Sequence, residues 1–580
     1  MKFLKNFLAS FLALVAFFFF AIIAIVGIIA AASSKDEVSI KENSVLKLDL
    51  SGLLQEQSID NPFEELLQIS NLKTIGLIEL IKVLDNAAND DDIKGIYMKN
   101  GFLNGGPAAM QELRDALNAF KQSGKFIYSY AEYLGESDYY LTSVADTLMI
   151  HPQGNVEFNG LNANVTFFKG MFEKIGVQPQ VFRVGDYKGA VEPFIREKLS
   201  EENRFQIQER LNIINDQMLR DIADNLTVDV DQLKMIQNEM KMQLPEDGKQ
   251  LGLIQQVGYE DQLLTKIAYR LKEDEVKDIN FISASEYAST IQSKSSKNRV
   301  AVIIGEGSIV MEGDENTNIV GKKFAKEIKK ARENDKVKAI VLRINSPGGS
   351  LIASDLIWRE VELTKPVKPI IASFSSYAAS GGYYISMGCD TIVARPTTIT
   401  GSIGIFGMLF NVEKLKEEKI GLTSDVVSTG KFSDILTMSR ALNKQERAIF
   451  QRVVDSGYKS FITKAAEGRS MLVKEINDVG GGRVWTGSQA IDHGLVDVLG
   501  SYRDAVSLAS NMAGVEDDFK VSIYPKPKPF FQQILEDMTT SVRISLLGHD
   551  LSTFLDEITL LDRYTFKKGL QARMPELIIE

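Results

Sequence analysis

The chain is written twice. Near residue 93 it runs IKGIYMK, then NGGPAAMQEL, KFIYSYAEYLGESDYYLTSVADTLMI, EKIGV and VFRVGDYKGAVEPF; about 244 residues later come VKAIVLR, SPGGSLIASDL, KPIIASFSSYAASGGYYISMGCDTIVA, EKIGL and VVSTGKFSDI. The register holds further on, where LSEEN (199–203) answers LNKQE (442–446) and LGLIQQVG (251–258) answers HGLVDVLG (493–500). Such long self-similarity means two homologous domains. Each half alternates short β-branched runs with amphipathic stretches, as in IKGIYM, AAMQELRDALNAF and FIYSY, which predicts βα units around a largely parallel sheet and an α/β fold. The polar stretch STIQSKSSKNR (289–299) marks the boundary. The expected domains are therefore 36–290 and 300–524, with 291–299 as the linker.

What flanks the repeat differs in kind. From Phe7 to Ala32 there is no charge, and 26 residues would span ~39 Å as a helix, enough for a ~30 Å hydrocarbon core with tilt. A cleavable signal peptide is the competing reading, helped by AAASS at 30–34, but its apolar region should be only ~7–15 residues. An uncleaved membrane anchor within residues 1–35 is the expectation. Lys2 and Lys5 before the span place the N-terminus in the cytoplasm and the body outside the cytoplasmic membrane. At the other end YPKPKPF (524–530) predicts a stiff linker into a C-terminal extension, 525–580, that is expected to be helical and carries no chemical signal.

Composition removes several functions. A net charge of −11 without a basic cluster excludes a nucleic-acid partner, since phosphate neutralisation needs concentrated Lys and Arg. The single cysteine, Cys389, excludes a disulfide framework or a CxxC metal or redox site and predicts a small buried hydrophobe. No metal and no cofactor is expected. Of the three histidines, His151 has no acidic or metal-ligand pattern beside it, His493 sits in a closing motif that suggests a structural role, and His549 lies in the tail. Spacing alone does not exclude a Ser-His-Asp triad, but the repeat gives no histidine a role.

Comparison of the halves is more informative. SYAASGGYYI (376–385) places Ser380 where the first half has Glu136, while GDYKGAVEPF places Lys188 opposite Ser433. Each half holds what the other lacks. A serine hydroxyl becomes a useful nucleophile when a neighbour takes its proton, and a neutral lysine amine does so if burial lowers its pKa from ~10.4 toward 7–8. Asp186 or Glu192 placed close to the amine would oppose that shift. RINSPGGSL (343–351) follows a strand, so Gly348 and Gly349 are candidate oxyanion donors. The Gly381 amide, at the start of a helix whose dipole favours negative charge, is a third.

With RINSPGGS, SYAASGGYYI, TGSIGIFG (400–407), GDYKGAVEPF and GRVWTGSQAIDHGLVDVLG (482–500) in this order, the chain resembles the long, duplicated, membrane-anchored form of signal peptide peptidase A up to about residue 520. The resemblance implies two tandem Clp protease/crotonase-like domains, Ser380 as nucleophile, Lys188 as general base from the first domain, and Ser402, 22 residues after the nucleophile, orienting the amine. It also implies a homotetramer on the outer face of the cytoplasmic membrane that hydrolyses released signal peptides or similar apolar peptides. The alternative is a membrane-anchored scaffold or acyl-group binder that keeps the fold without proteolysis. Whether Lys188 and Ser380 meet within one chain is open at this point.

Overall fold

The computed structural model describes residues 38–58, 74–292, 294–525 and 570–574, with short helical stretches between residues 5 and 20. The apolar run 7–32 lies mostly outside the described residues, as does the tail from 526 to 569, including His549. No helix among the described residues is long and apolar enough to cross a membrane.

Two sheets carry the repeat, the first parallel and the second parallel except for the edge strand Val484–Thr486, which runs antiparallel to Ile399–Gly401. The first runs in spatial order Thr74–Gly76, Ser44–Gln55, Ile93–Asn104, Phe126–Leu134, Thr147–Val156 and Gln256–Val257, with Asn280–Ser283 also paired to Ser44–Gln55. In the second, Lys520–Tyr524, Arg299–Glu306, Val337–Ser346 and Ile370–Ala379 lie side by side, and the last strand pairs with Thr391–Ala394 and Ile399–Gly401. Strand starts Ile93, Phe126 and Thr147 recur 244 residues on as Val337, Ile370 and Thr391. Central parallel strands covered on both faces must be apolar nearly throughout, and Ala339 to Ile344 is buried without interruption. Connecting helices cover the faces. Pro107–Gln122 begins with a proline whose missing N–H costs nothing at a helix start, and it buries Leu113, Leu117 and Phe120.

The halves meet through polar contacts as well as apolar ones. Arg343, on the second sheet, donates from Nε to Glu56 (2.6 Å) and from Nη1 and Nη2 to Glu112 (2.9 and 3.1 Å), both carboxylates belonging to the first half. All three side chains are buried. The amide of Ala109, at the start of Pro107–Gln122, donates to Ser376 Oγ at 3.0 Å, and the helix capping position Gly106 lies so close that a Cβ there would sit 2.4 Å from that hydroxyl. Thus the glycine turn of the first half props up the strand that ends at Ser380.

A third sheet crosses between the halves. Its order is Asn318–Val320, Ser308–Val310, Gly348–Ser350, Gln571–Arg573, Phe406–Asn411 and Gln178–Arg183. Phe406–Asn411 runs antiparallel to Gln178–Arg183 over six residue pairs, which brings the chain leading to Lys188 across to the second half. Gln571–Arg573, a strand rather than the helix expected for the extension, fills the gap between Gly348–Ser350 and Phe406.

Candidate active site

Ser380 sits where the buried strand Ile370–Ala379 turns into a helix only four residues long, Gly381–Tyr384. Its φ of 55° and ψ of −110° lie off the regular regions, a conformation that costs about 1–3 kcal/mol and persists only where the surroundings impose it. Those surroundings are visible: the Ser380 amide donates to Gly401 O at 2.8 Å, and Ser380 O accepts from Tyr384 N at 2.8 Å. With one helical turn, any favourable field at the Gly381 amide comes from that N–H itself rather than from the extended dipole expected for a longer helix.

Lys188 reaches the serine within the same chain. Its Nζ lies 2.8 Å from Ser380 Oγ, 3.0 Å from Ser402 O and 3.0 Å from Ser402 Oγ. All three residues are at most 1 % exposed, so no solvent competes for the amine. Burial alone holds the Lys188 amine well below the ordinary lysine range. Neither feared carboxylate intervenes: Asp186 points to the exposed side, and Glu192 accepts from the Ser200 amide (3.0 Å) with Arg183 3.9 Å away.

The three contacts fit a neutral amine. Such a group has two N–H donors and one lone pair. Ser402 O and Ser402 Oγ take the two donors, which leaves the lone pair for the Ser380 hydroxyl proton. Ser402 holds a positive φ of 50°, with its amide on Arg483 O at 2.7 Å. Two glycines, one in TGSIGIFG and one opening GRVWTGSQ, seat the lysine, a role the motifs alone do not assign them. A Cβ on Gly482, whose φ is +83°, would lie 2.7 Å from Lys188 Cα, and one on Gly404 would lie 3.2 Å from Lys188 Cδ.

The glycines of SPGG divide their roles. The Gly348 amide donates to Ser346 Oγ at 3.2 Å, and Gly348 has a φ of +99°, which glycine adopts without a Cβ penalty. Gly349 and Gly381 sit together: a Cβ built on Gly381 would lie 3.0 Å from Gly349 N. Gly381 follows Ser380 directly in the chain, so the nucleophile has these two residues beside it. In the first half, the position of the nucleophile is filled by Glu136, a buried carboxylate accepting from the Asn159 and Gly160 amides (3.1 and 2.9 Å) and from Gln237. Its chemistry is spent on packing.

The remaining sequence candidates lie apart. Ser433 is in an exposed turn, its hydroxyl on Gly430 O. Cys389 is buried and its thiol pushed far above the ordinary range, which makes it inert as a nucleophile. His493 packs tilted against Trp485, ring centroids 4.2 Å apart, and His151 packs edge-on against Tyr259. No cluster of three or more potential metal ligands is present among the described residues.

A duplicated α/β architecture with a serine on a strand-to-helix elbow and a glycine-lined strand beside it belongs to the Clp protease-like class, and a Clp protease family model matches residues 292–398. More specifically, the chain belongs to peptidase family S49, whose model matches twice, over 119–274 and 362–516. The chain is 33% identical over 552 residues to "Serine protease SPPA, chloroplastic" of Arabidopsis thaliana, covering 93% of this chain and 79% of that one. It is 31% identical over 551 residues to "Protease 4" of Salmonella typhi (91% and 88% covered) and 31% identical over 525 residues to "Protease 4" of Haemophilus influenzae (87% and 85% covered). It is a serine peptidase.

Proposed function

We propose that Ser380 and Lys188 form a catalytic dyad that hydrolyses peptide bonds through an acyl-enzyme. The observation that carries this is the 2.8 Å contact between Lys188 Nζ and Ser380 Oγ in a site sealed from water. The neutral amine takes the hydroxyl proton as Oγ attacks the substrate carbonyl. Negative charge developing on the carbonyl oxygen is met by the Gly349 and Gly381 amides, which are fixed in place before the reaction and need no reorganisation. Lys188, now an ammonium in a desolvated pocket, returns the proton to the leaving amine, and the same pair then activates water against the ester. Ser402 orients the amine throughout.

The substrate lies as an extended strand along Gly348–Ser350, on the edge that Gln571–Arg573 holds in this structure, its backbone paired and its alternate side chains pocketed. Apolar peptides, such as released signal peptides, are the substrate class that the family resemblance suggests. The charge-free run from Phe7 to Ala32 supports a single membrane anchor with the catalytic body on the outer face of the cytoplasmic membrane. Exposed Ile420, Leu422, Val426 and Val427 on one segment support assembly into a homo-oligomer, a tetramer by family resemblance.

The test of the dyad is covalent labelling by a fluorophosphonate probe. Wild-type protein is expected to label at Ser380, and Ser380→Ala and Lys188→Ala to lose the label while remaining folded by circular dichroism. Undiminished labelling of Lys188→Ala would remove the lysine from the mechanism.

A further inference from the structure

Resting on the dyad reading above, we infer that Gln206 is a positioning residue for that reaction, fixing the backbone that carries Lys188 to the loop of the second half that seats Lys188 and Ser402. Gln206 is 2 % exposed. Its Nε2 donates to Tyr187 O at 3.1 Å and to Asn203 Oδ1, and its Oε1 accepts from the Val484 amide at 3.0 Å. A primary amide has two N–H donors and one carbonyl oxygen, so both donors and the acceptor are engaged. Tyr187 directly precedes Lys188, and Val484 belongs to the other half.

The loop that Gln206 grips meets the site at three successive residues. Gly482 lies against the Lys188 backbone, Arg483 O accepts from the Ser402 amide at 2.7 Å, and the Val484 amide goes to Gln206. Ser402 in turn supplies both acceptors of the Lys188 amine. One residue before Gly482, the Gly481 amide donates to the Tyr458 hydroxyl at 3.1 Å, which donates to Asn477 at 2.9 Å. A single side chain therefore connects the chain entering the base with the loop that sets the acceptors of that base.

Gln206 is itself held in place. Ser200 caps the helix Glu201–Leu226, its hydroxyl accepting from the Asn203 amide at 3.2 Å and from Asn203 Nδ2 at 3.0 Å. Asn203 Oδ1 accepts from Gln206 and also lies against Gly189, where a Cβ would stand 2.4 Å from it. The residues on either side of Lys188 are thus both braced by this helix end. Capping needs only Ser200 and Asn203. The bond from Gln206 to Val484 adds nothing to the helix and ties the two halves together at the base.

Without that tie the lysine backbone and the Ser402 loop are free to part. A misplacement of about 1 Å can cost ~100-fold in rate even when it starts away from the reacting atoms. Water also gains access to an amine that burial alone holds below the ordinary lysine range, so the amine stays charged to a higher pH. The charges around this segment are Arg183, whose Nη1 lies 3.4 Å from Lys188 O, Glu192 beside it, and the Arg483–Glu209 pair, and all four stay unchanged when Gln206 is replaced by an uncharged residue.

The experiment is steady-state hydrolysis of a fluorogenic apolar peptide across pH by the full chain in detergent, as wild type, Gln206→Leu, Gln206→Asn and Lys188→Ala, with circular dichroism to verify folding. Gln206→Leu removes all three bonds. Gln206→Asn keeps a polar amide in the buried site, which favours folding, but is too short to span Tyr187 and Val484. Both are expected to lower kcat about 10- to 100-fold, to leave KM within about twofold of wild type, and to move the acid limb of kcat to higher pH. A kcat within twofold of wild type in the folded variants overturns the inference. So does a raised KM at unchanged kcat, which would make Gln206 a substrate contact, and so does a lowered kcat whose acid limb stays at the wild-type pH, which would be loss of folded enzyme alone. Lys188→Ala that keeps wild-type kcat overturns the dyad reading itself; Lys188→Ala that is inactive beside unaffected Gln206 variants leaves the dyad standing and removes Gln206 alone.

Discussion

Replacing Ser402 by alanine probes the site at its most specific point. The change deletes one of the two acceptors that fix the Lys188 amine, the hydroxyl at 3.0 Å, and leaves the other, the Ser402 carbonyl at 3.0 Å, in place. One buried N–H then loses its partner, which costs about 1–3 kcal/mol. Since the amine must present its lone pair to Ser380 in the transition state, that cost falls on the chemical step. At about 1.4 kcal/mol per tenfold, kcat should fall roughly 5- to 150-fold. Ser402 lies outside the substrate strand, so KM should stay within about twofold of wild type. The assay is steady-state hydrolysis of a fluorogenic apolar peptide across pH, with circular dichroism to verify folding. A kcat within twofold of wild type would refute the orienting role, and a loss as complete as that of Ser380→Ala would mean that Ser402 itself reacts.

Three further outcomes follow from the same contacts. Burial lowers the folded-state pKa of Lys188, so between that value and the ordinary ~10.5 the unfolded chain binds one proton more than the native one and stability rises with pH. Lys188→Met should therefore stabilise the protein at neutral pH, with the gain vanishing above the ordinary lysine range; a pH-independent gain in urea unfolding would contradict this. Glu306, desolvated and near Glu56, has its pKa pushed up to about 7, so the native state holds a proton that the unfolded chain has released above about pH 4.5. Wild-type stability should fall as pH rises through that window, and Glu306→Gln should flatten the fall. Arg343→Met strips Glu56 and Glu112 of their shared cation in a buried setting, so a loss of about 3–5 kcal/mol is expected, read as a lower urea midpoint; an unchanged midpoint would mean that the halves do not depend on this contact.

The parts of this architecture that were legible in the sequence are those the duplication writes in register. Ser380 against Glu136, and the strands beginning at Ile93 and Val337, could be aligned because equivalent packing demands equivalent residues. Lys188 was singled out by its motif, but nothing local reveals that Gln178–Arg183 crosses to pair with Phe406–Asn411 and carries the lysine to Ser380. Gly482 and Gly404 likewise become meaningful only when the lysine backbone is seen pressed against them. Residues 571–573 depart from the helix expected for the extension for a related reason. Gln571–Arg573 has no alternating pattern of its own, and its strand form comes entirely from two edges far away in the chain. Arg343 resembled any strand-borne cation until its two partners, 231 and 287 residues distant, were placed beside it.

All of the chemistry rests on Lys188 being uncharged when it meets Ser380. The most direct measurement is the 15N chemical shift of Lys188 Nζ, followed by NMR in protein labelled at lysine and assigned by comparison with Lys188→Met. A shift typical of a neutral amine at about pH 8, well below the ordinary lysine value, is the predicted result. An ammonium shift persisting to about pH 10 would contradict the account.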